Sequence, residues 1–167
     1  MRPSFIKNVS VKSLMHKMSY QEAVEAFGAK AIVDSSFFRK KGFVEEGKIT
    51  FAPVYVDGFP AIVQASFSSD STTRFDLFLP YTPRKNVKPT EPYGQHRFVK
   101  ATLDDFDRFK AAVTQEIGDP SVGTETTFEY MIYGDGGTMQ PIFASLIKGV
   151  INVQVLPMVR PAENKVR

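Results

Sequence analysis

Five cations, Arg84, Lys85, Lys88, Arg97 and Lys100, face a single acid, Glu91, in PYTPRKNVKPTEPYGQHRFVK, the stretch from Pro80 to Lys100. Tyr81, Tyr93, His96 and Phe98 are interleaved with them. Guanidinium and ammonium groups neutralise phosphates while flat rings stack on bases, so this mixture suits a single-stranded polyanion. Pro80, Pro83, Pro89 and Pro92 remove backbone donors and fix φ, which predicts a loop or arm over 80–101 rather than a helix or central strand. A loop of that length inside a domain is commonly a working part or a disordered one.

The run Thr72–Leu79 just before it reads as a strand. Alternation puts Phe75, Leu77 and Leu79 on one face and Arg74, Asp76 and Phe78 on the other. If the first set is core, Arg74 and Phe78 are exposed together and begin a face that the basic loop continues. The candidate nucleic-acid-binding residues are therefore Arg74, Phe78, Tyr81, Arg84, Lys85, Lys88, Tyr93, His96, Arg97 and Lys100. Tyr133, opposite an expected inward set of Phe128, Tyr130 and Ile132, could extend the platform. Each ring taken singly is more often structural, since aromatics bury large areas.

Enzymatic signatures are weak. His16 and His96 are the only histidines, and they stand in no metal-ligand spacing and no recognisable triad. Asp104, Asp105 and Asp107 sit where a helix start already accounts for them. Gly134-Asp135-Gly136-Gly137 lacks the Lys-Ser/Thr of a phosphate loop and reads as a hairpin turn. The expectation is a protein that is not an enzyme and uses no metal or cofactor.

The elements that must hold this face follow from local signals. Ser19-Tyr20-Gln21-Glu22 is a capping box and Gly28 a C-terminal cap, predicting a helix near 19–27. Ala31–Phe38 is read as a strand. KITFAPVYV and PAIVQASF flank Asp57-Gly58-Phe59, a hairpin signal, with Phe59, Ala61, Val63, Ala65 and Phe67 on one face. Thr102 caps a helix whose inward residues are Leu103, Phe106, Phe109 or Lys110, Val113 and Ile117, and which stops at Gly118-Asp119-Pro120. Three strands follow at Thr126–Tyr133, Met139–Ile147 and Val150–Met158.

From residue 48 the order is strand, strand, strand, helix, strand, strand, with one further strand. The fold class is therefore α+β and β-rich: an OB-like small barrel or a twisted antiparallel sheet, plus an N-terminal helix. One domain is expected over the 167 residues, with an N-terminal helical extension at 1–47, a β-rich core at 48–158 and a mobile tail at 159–167.

Composition bounds the rest. Hydrophobic content of 43% is enough for a substantial core, rich in phenylalanine with fifteen Phe and no Trp. The absence of Cys removes disulfides and thiol chemistry. No apolar run reaches the length of about 18 residues that would span a bilayer, so a cytoplasmic protein with no membrane partner is expected. Net charge is only +3, but cations concentrate in 1–48 and 81–100 while 101–135 is acidic.

Two functions fit this pattern. The first is a single-stranded nucleic-acid-binding protein, of phage or small-replicon type, working in the cytoplasm or, if viral, in the host cytoplasm or virion. The second is a structural assembly subunit, such as a virion coat or tail component, whose loop and termini contact neighbouring copies. Homo-oligomerisation is expected.

Overall fold

The computed structural model describes residues 8–40, 44–80, 100–134 and 137–158, with the side chains of 37–40, 44, 45, 133, 134 and 138 excepted. The short strand β1 (Asn8–Val9) leads into α1 (Val11–Leu14) and α2 (Tyr20–Phe27). Four strands come next, β2 (Ile32–Lys40), β3 (Val44–Val56), β4 (Phe59–Ser68) and β5 (Ser71–Leu79), and then the long helix α3 (Leu103–Ile117) and the short strand β6 (Val122–Gly123). The chain finishes with β7 (Thr127–Gly134), β8 (Gly137–Ile147) and β9 (Val150–Val155).

Local chemistry accounts for most element ends. At α2 the Ser19 hydroxyl accepts from the Glu22 N–H at 3.1 Å, while Glu22 accepts from the Ser19 N–H at 2.9 Å. This reciprocal box satisfies two otherwise orphaned donors. Thr102 and Asp105 form the same box at α3, and the backbone N–H of Thr102 holds the Asp105 carboxyl below its ordinary range. Asp57 and Gly58 take positive φ values of 48° and 87°, the conformation a tight hairpin with native twist requires. Lys148 and Gly149 do likewise at the β8–β9 turn.

The strands form one sheet in the order β1-β3-β4-β5-β9-β8-β7-β6, with β2 also on β3. β3 is long enough to serve two neighbours. Its first part pairs antiparallel with β2, and its last residues pair parallel with β1, after a register shift between Phe51 and Val54 that brackets Pro53. All other named strand pairs are antiparallel, so the sheet is mixed. It does not close on itself, and the small OB-like barrel that the element order suggested is not formed. The reason lies in one pairing: β9 adds to β5 and carries β8 and β7 outward, extending the meander β3-β4-β5 rather than curling back to its first strand.

One face of the sheet carries the core. Phe51, Val63, Phe75, Leu77, Val155 and Phe128 are fully or almost fully buried there. Phe27 of α2 stacks on Phe51 with ring centroids 4.7 Å apart, and Phe106 of α3 lies 5.5 Å from Phe128. Phe109 meets Phe59 edge-on at 5.6 Å. Burying a Phe side chain stabilises by about 1.5–3 kcal/mol, so this phenylalanine seam is the main force pressing the helices onto the sheet. Val11 and Leu14 of α1 join the same cluster.

Two expected core positions are outside it. Leu103 is 43% exposed, because it lies in the first turn of α3 before the helix reaches the sheet. Ile132 is 40% exposed: the register shift between Tyr130 and Ile132 and the overhang of the β7–β8 hairpin take it beyond the helices. The tail 159–167 and the turn residues Asp135 and Gly136 lie outside the described residues.

Candidate nucleic-acid interface

The helices occupy the core side, so among the described residues the other face of β5, β9 and β8 carries side chains with no helix over them. Alternation in β5 sends Arg74, Asp76 and Phe78 to this face, since Phe75, Leu77 and Leu79 are each 0% exposed on the other. In β9, Ile151, Val153 and Val155 go inward and Asn152 and Gln154 outward. In β8, Ile142 and Ala144 are buried on the core side and Phe143 is turned to the outer face.

Strand register sets these side chains in rows. Asp76 lies opposite Gln154, which lies opposite Phe143. One row along, Ile62, Phe78, Asn152 and Ser145 are in line. A further row holds Lys48, Ser66 and Arg74. Phe78 and Phe143 thus stand two strands apart and one row out of line, roughly 12 Å on the diagonal, with the amides of β9 between them. Both rings are half-buried.

Between the two rings is a shallow groove of about 250 Å³ lined by Arg74, Asp76, Phe78, Phe143, Asn152 and Gln154, among others. Arg74 Nε donates to both Asp76 oxygens, at 3.1 and 3.0 Å. The Arg74 side chain is 50% exposed and that of Asp76 19%, so the pair is a fixed feature of the surface rather than a buried bridge. Its consequence is electrostatic: the cation is answered locally, and the groove offers hydrogen-bonding groups and ring faces more than net positive charge.

Positive charge lies at its margins. Lys48 is exposed on the outer face in line with Arg74, and Lys100 is exposed at the foot of α3. Lys100 runs its aliphatic stem over Gly149, where an added Cβ would come within 2.6 Å of it. Next to it the Ala101 N–H donates to Gly149 O at 2.8 Å. Because Leu79 pairs with Ile151, just past that turn, Pro80 and Lys100, the described residues on either side of 81–99, lie at one corner of the sheet, at the end where Phe78 lies. Tyr81, Arg84, Lys85, Lys88, Tyr93, His96 and Arg97 are in that segment and lie outside the described residues, as does the Tyr133 side chain.

Of the ten candidate residues, then, the structure places three: Arg74 and Phe78 on one face of β5 with Asp76 between them, and Lys100 at the corner. Phe143, Asn152, Gln154 and Lys48 were not singled out in the sequence. The signal for Phe143 was present in the alternation of Ile142, Phe143 and Ala144. What no local pattern contained was the insertion of β9 between β5 and β8, which makes the residues neighbours.

A second groove of about 620 Å³ opens beside the Lys48 row, lined by Asp34, Glu46, Lys48, Ser36 and Thr73 with the edge of Phe67. Its charges are mixed. His16 lines neither groove; it forms an isolated bridge with Met158, and its buried Nδ1 has no hydrogen-bond partner among the described residues. Among the described residues no three His, Asp or Glu side chains group as a metal site, and no helix is long and apolar enough to cross a membrane.

Comparison with protein-family models, curated proteins and solved structures finds no match for this chain.

Proposed function

We propose that this protein binds single-stranded nucleic acid on the outer face of β5, β9 and β8, without catalysing a reaction. The observation that carries the reading is the pair Phe78 and Phe143, half-buried on a helix-free sheet face with Asn152 and Gln154 between them and Arg74 lining the same groove. Open sheets with outward aromatic rings are a recurring platform for splayed bases, each stacked base contributing about 1–3 kcal/mol. Phosphates would be met by Lys100, Lys48 and the cations that the sequence concentrates between Pro80 and Lys100.

Titration of a labelled single-stranded DNA and a labelled RNA at low salt, followed by fluorescence anisotropy, tests this directly. Saturable binding that weakens steeply with added salt is expected. No binding of either at low salt removes the proposal.

A second reading, a structural subunit that contacts neighbouring copies, is favoured by one different observation. Ile132 and Met139 are cross-strand partners, 40% and 47% exposed, at the overhanging end of the β7–β8 hairpin. Concentration-dependent assembly in the absence of nucleic acid would support it.

A further inference from the structure

Among the described residues, Arg74 is held along one edge. Its guanidinium carries five N–H donors in a rigid planar fork. Nε donates to Asp76, and with the Gln154 amide oxygen turned toward Arg74 that oxygen accepts from Nη2 at 3.2 Å and from Nε at 3.3 Å. Both partners therefore lie along the Nε–Nη2 edge. The end-on edge, with one N–H from each terminal nitrogen, is left presented to the groove by a side chain that is 50% exposed.

We infer that Arg74 is a guanine-reading residue, its end-on fork donating to the O6 and N7 acceptors of one base in the bound strand, with Asp76 and Gln154 as positioning residues. This rests on the proposed nucleic-acid reading and specifies what that site selects. Guanine presents two adjacent acceptors, O6 and N7, on one edge, whereas adenine, thymine and uracil have no two adjacent acceptors. Cytosine in a single strand also exposes an adjacent pair, N3 and O2, but on a smaller ring with less surface to stack. A phosphate also offers two acceptors, but it is anionic, and Asp76 lies 3.0 Å from the same guanidinium. The local charge balance thus favours a neutral acceptor pair. Phe143 lies opposite Gln154 and lines the same groove as Arg74, so a purine held by the fork has apolar surface within the groove. Fixing the guanidinium before the base arrives reduces the ordering cost of the contact.

The test uses the full chain and three oligonucleotides of equal length: all thymidine, the same with one central deoxyguanosine, and the same with 7-deazadeoxyguanosine, which lacks the N7 acceptor. The guanine-containing strand should bind tighter than the thymidine strand by about fivefold or more, the lower end of what a bidentate base contact is worth. The deaza strand should lose most of that advantage, and Arg74→Met, which removes every donor, should bind the guanine and thymidine strands alike. If the wild-type protein binds all three strands equally, the inference is overturned while the proposed function stands. If the guanine preference survives in Arg74→Met, another residue reads the base and the inference is again overturned. Failure to bind any of the strands overturns the proposed function and this inference together.

Discussion

The carboxyl groups of Asp57 and Glu116 share a side-chain hydrogen bond that joins the β3–β4 turn to the last turn of α3. Asp57 also accepts from the Val11 N–H at 2.9 Å, so the same carboxyl caps the start of α1. Burial pushes the Asp57 carboxyl up, against the Val11 N–H and the Glu116 hydrogen bond, which lower it. Burial and the neighbouring Asp57 charge push Glu116 up, and Lys12 opposes them. Two carboxyls in contact hold a proton above the ordinary carboxyl range, because like charges at that distance cannot both ionise without cost.

The sign of the pH dependence follows. Carboxyls raised in the folded state contribute stability that is present below their unfolded pKa values and is lost as pH rises through the folded ones. The melting temperature of the wild type relative to Glu116→Gln should therefore fall as pH rises through and beyond the ordinary carboxyl range, since the amide keeps a donor without the repulsion. Parallel melting curves across that range would show that the pair carries no linkage.

Thr102→Ala removes the hydroxyl that accepts from the Asp105 N–H and opens the box at α3. A destabilisation of about 1 kcal/mol is expected by urea denaturation, the usual worth of such a cap. Asp105 has the opposite linkage to the Asp57–Glu116 pair. Its lowered carboxyl stabilises above the ordinary carboxylate range, and that stabilisation disappears as pH falls through its depressed value. Thr102→Ala keeps the backbone N–H that contributes most to this lowering and loses only the hydroxyl that donates to the same carboxyl. Its acid unfolding should therefore be slightly shallower than that of the wild type, and an unchanged acid profile would exclude the hydroxyl's contribution.

Phe109 lies between Phe59 and Phe128 and is 0% exposed, whereas Leu103, on the same helix, is 43% exposed. Phe109→Ala should destabilise by about 3–5 kcal/mol, the range for deleting a buried ring. Leu103→Ala should stay within about 0.5 kcal/mol, as surface substitutions do. Comparable destabilisation by the two would place the helix in a different rotation on the sheet.

Stacking and phosphate neutralisation should separate in salt titrations. Arg84→Ala with Lys85→Ala should weaken binding to every sequence and reduce the slope of log affinity against log salt, by roughly 0.7 for each phosphate no longer neutralised on a single strand. Phe143→Leu should weaken binding by a similar factor at every salt concentration and leave the slope as it was. Equal slopes for both variants would remove the proposed division of labour.

Much of the fold was legible because its signals are local. Asp57-Gly58 between apolar runs marked the β3–β4 hairpin, the Ser19 and Thr102 boxes marked the starts of α2 and α3, and alternation in β5 separated Phe75, Leu77 and Leu79 from Arg74 and Phe78. α1 was not legible, since four residues are too few to display a helical period. Sheet order was not legible either, because strand partners are chosen by the combined burial of residues far apart in the chain. That is why the candidate face was read as one strand and one loop, and why Phe143 and Gln154, which complete it, came only with the pairing of β9 to both β5 and β8.

The proposed binding of a nucleic-acid strand on the outer face of β5, β9 and β8 can be tested without any substitution. Ultraviolet cross-linking of the full chain to a single-stranded oligonucleotide, with the linked peptides identified by mass spectrometry, reports which residues touch it. Cross-links are expected at Phe78 and Phe143, with further links in the segment 80–100. Cross-links confined to the helical side, at residues of α1 or α3, or none at either phenylalanine under conditions of saturated binding, would contradict binding on that face.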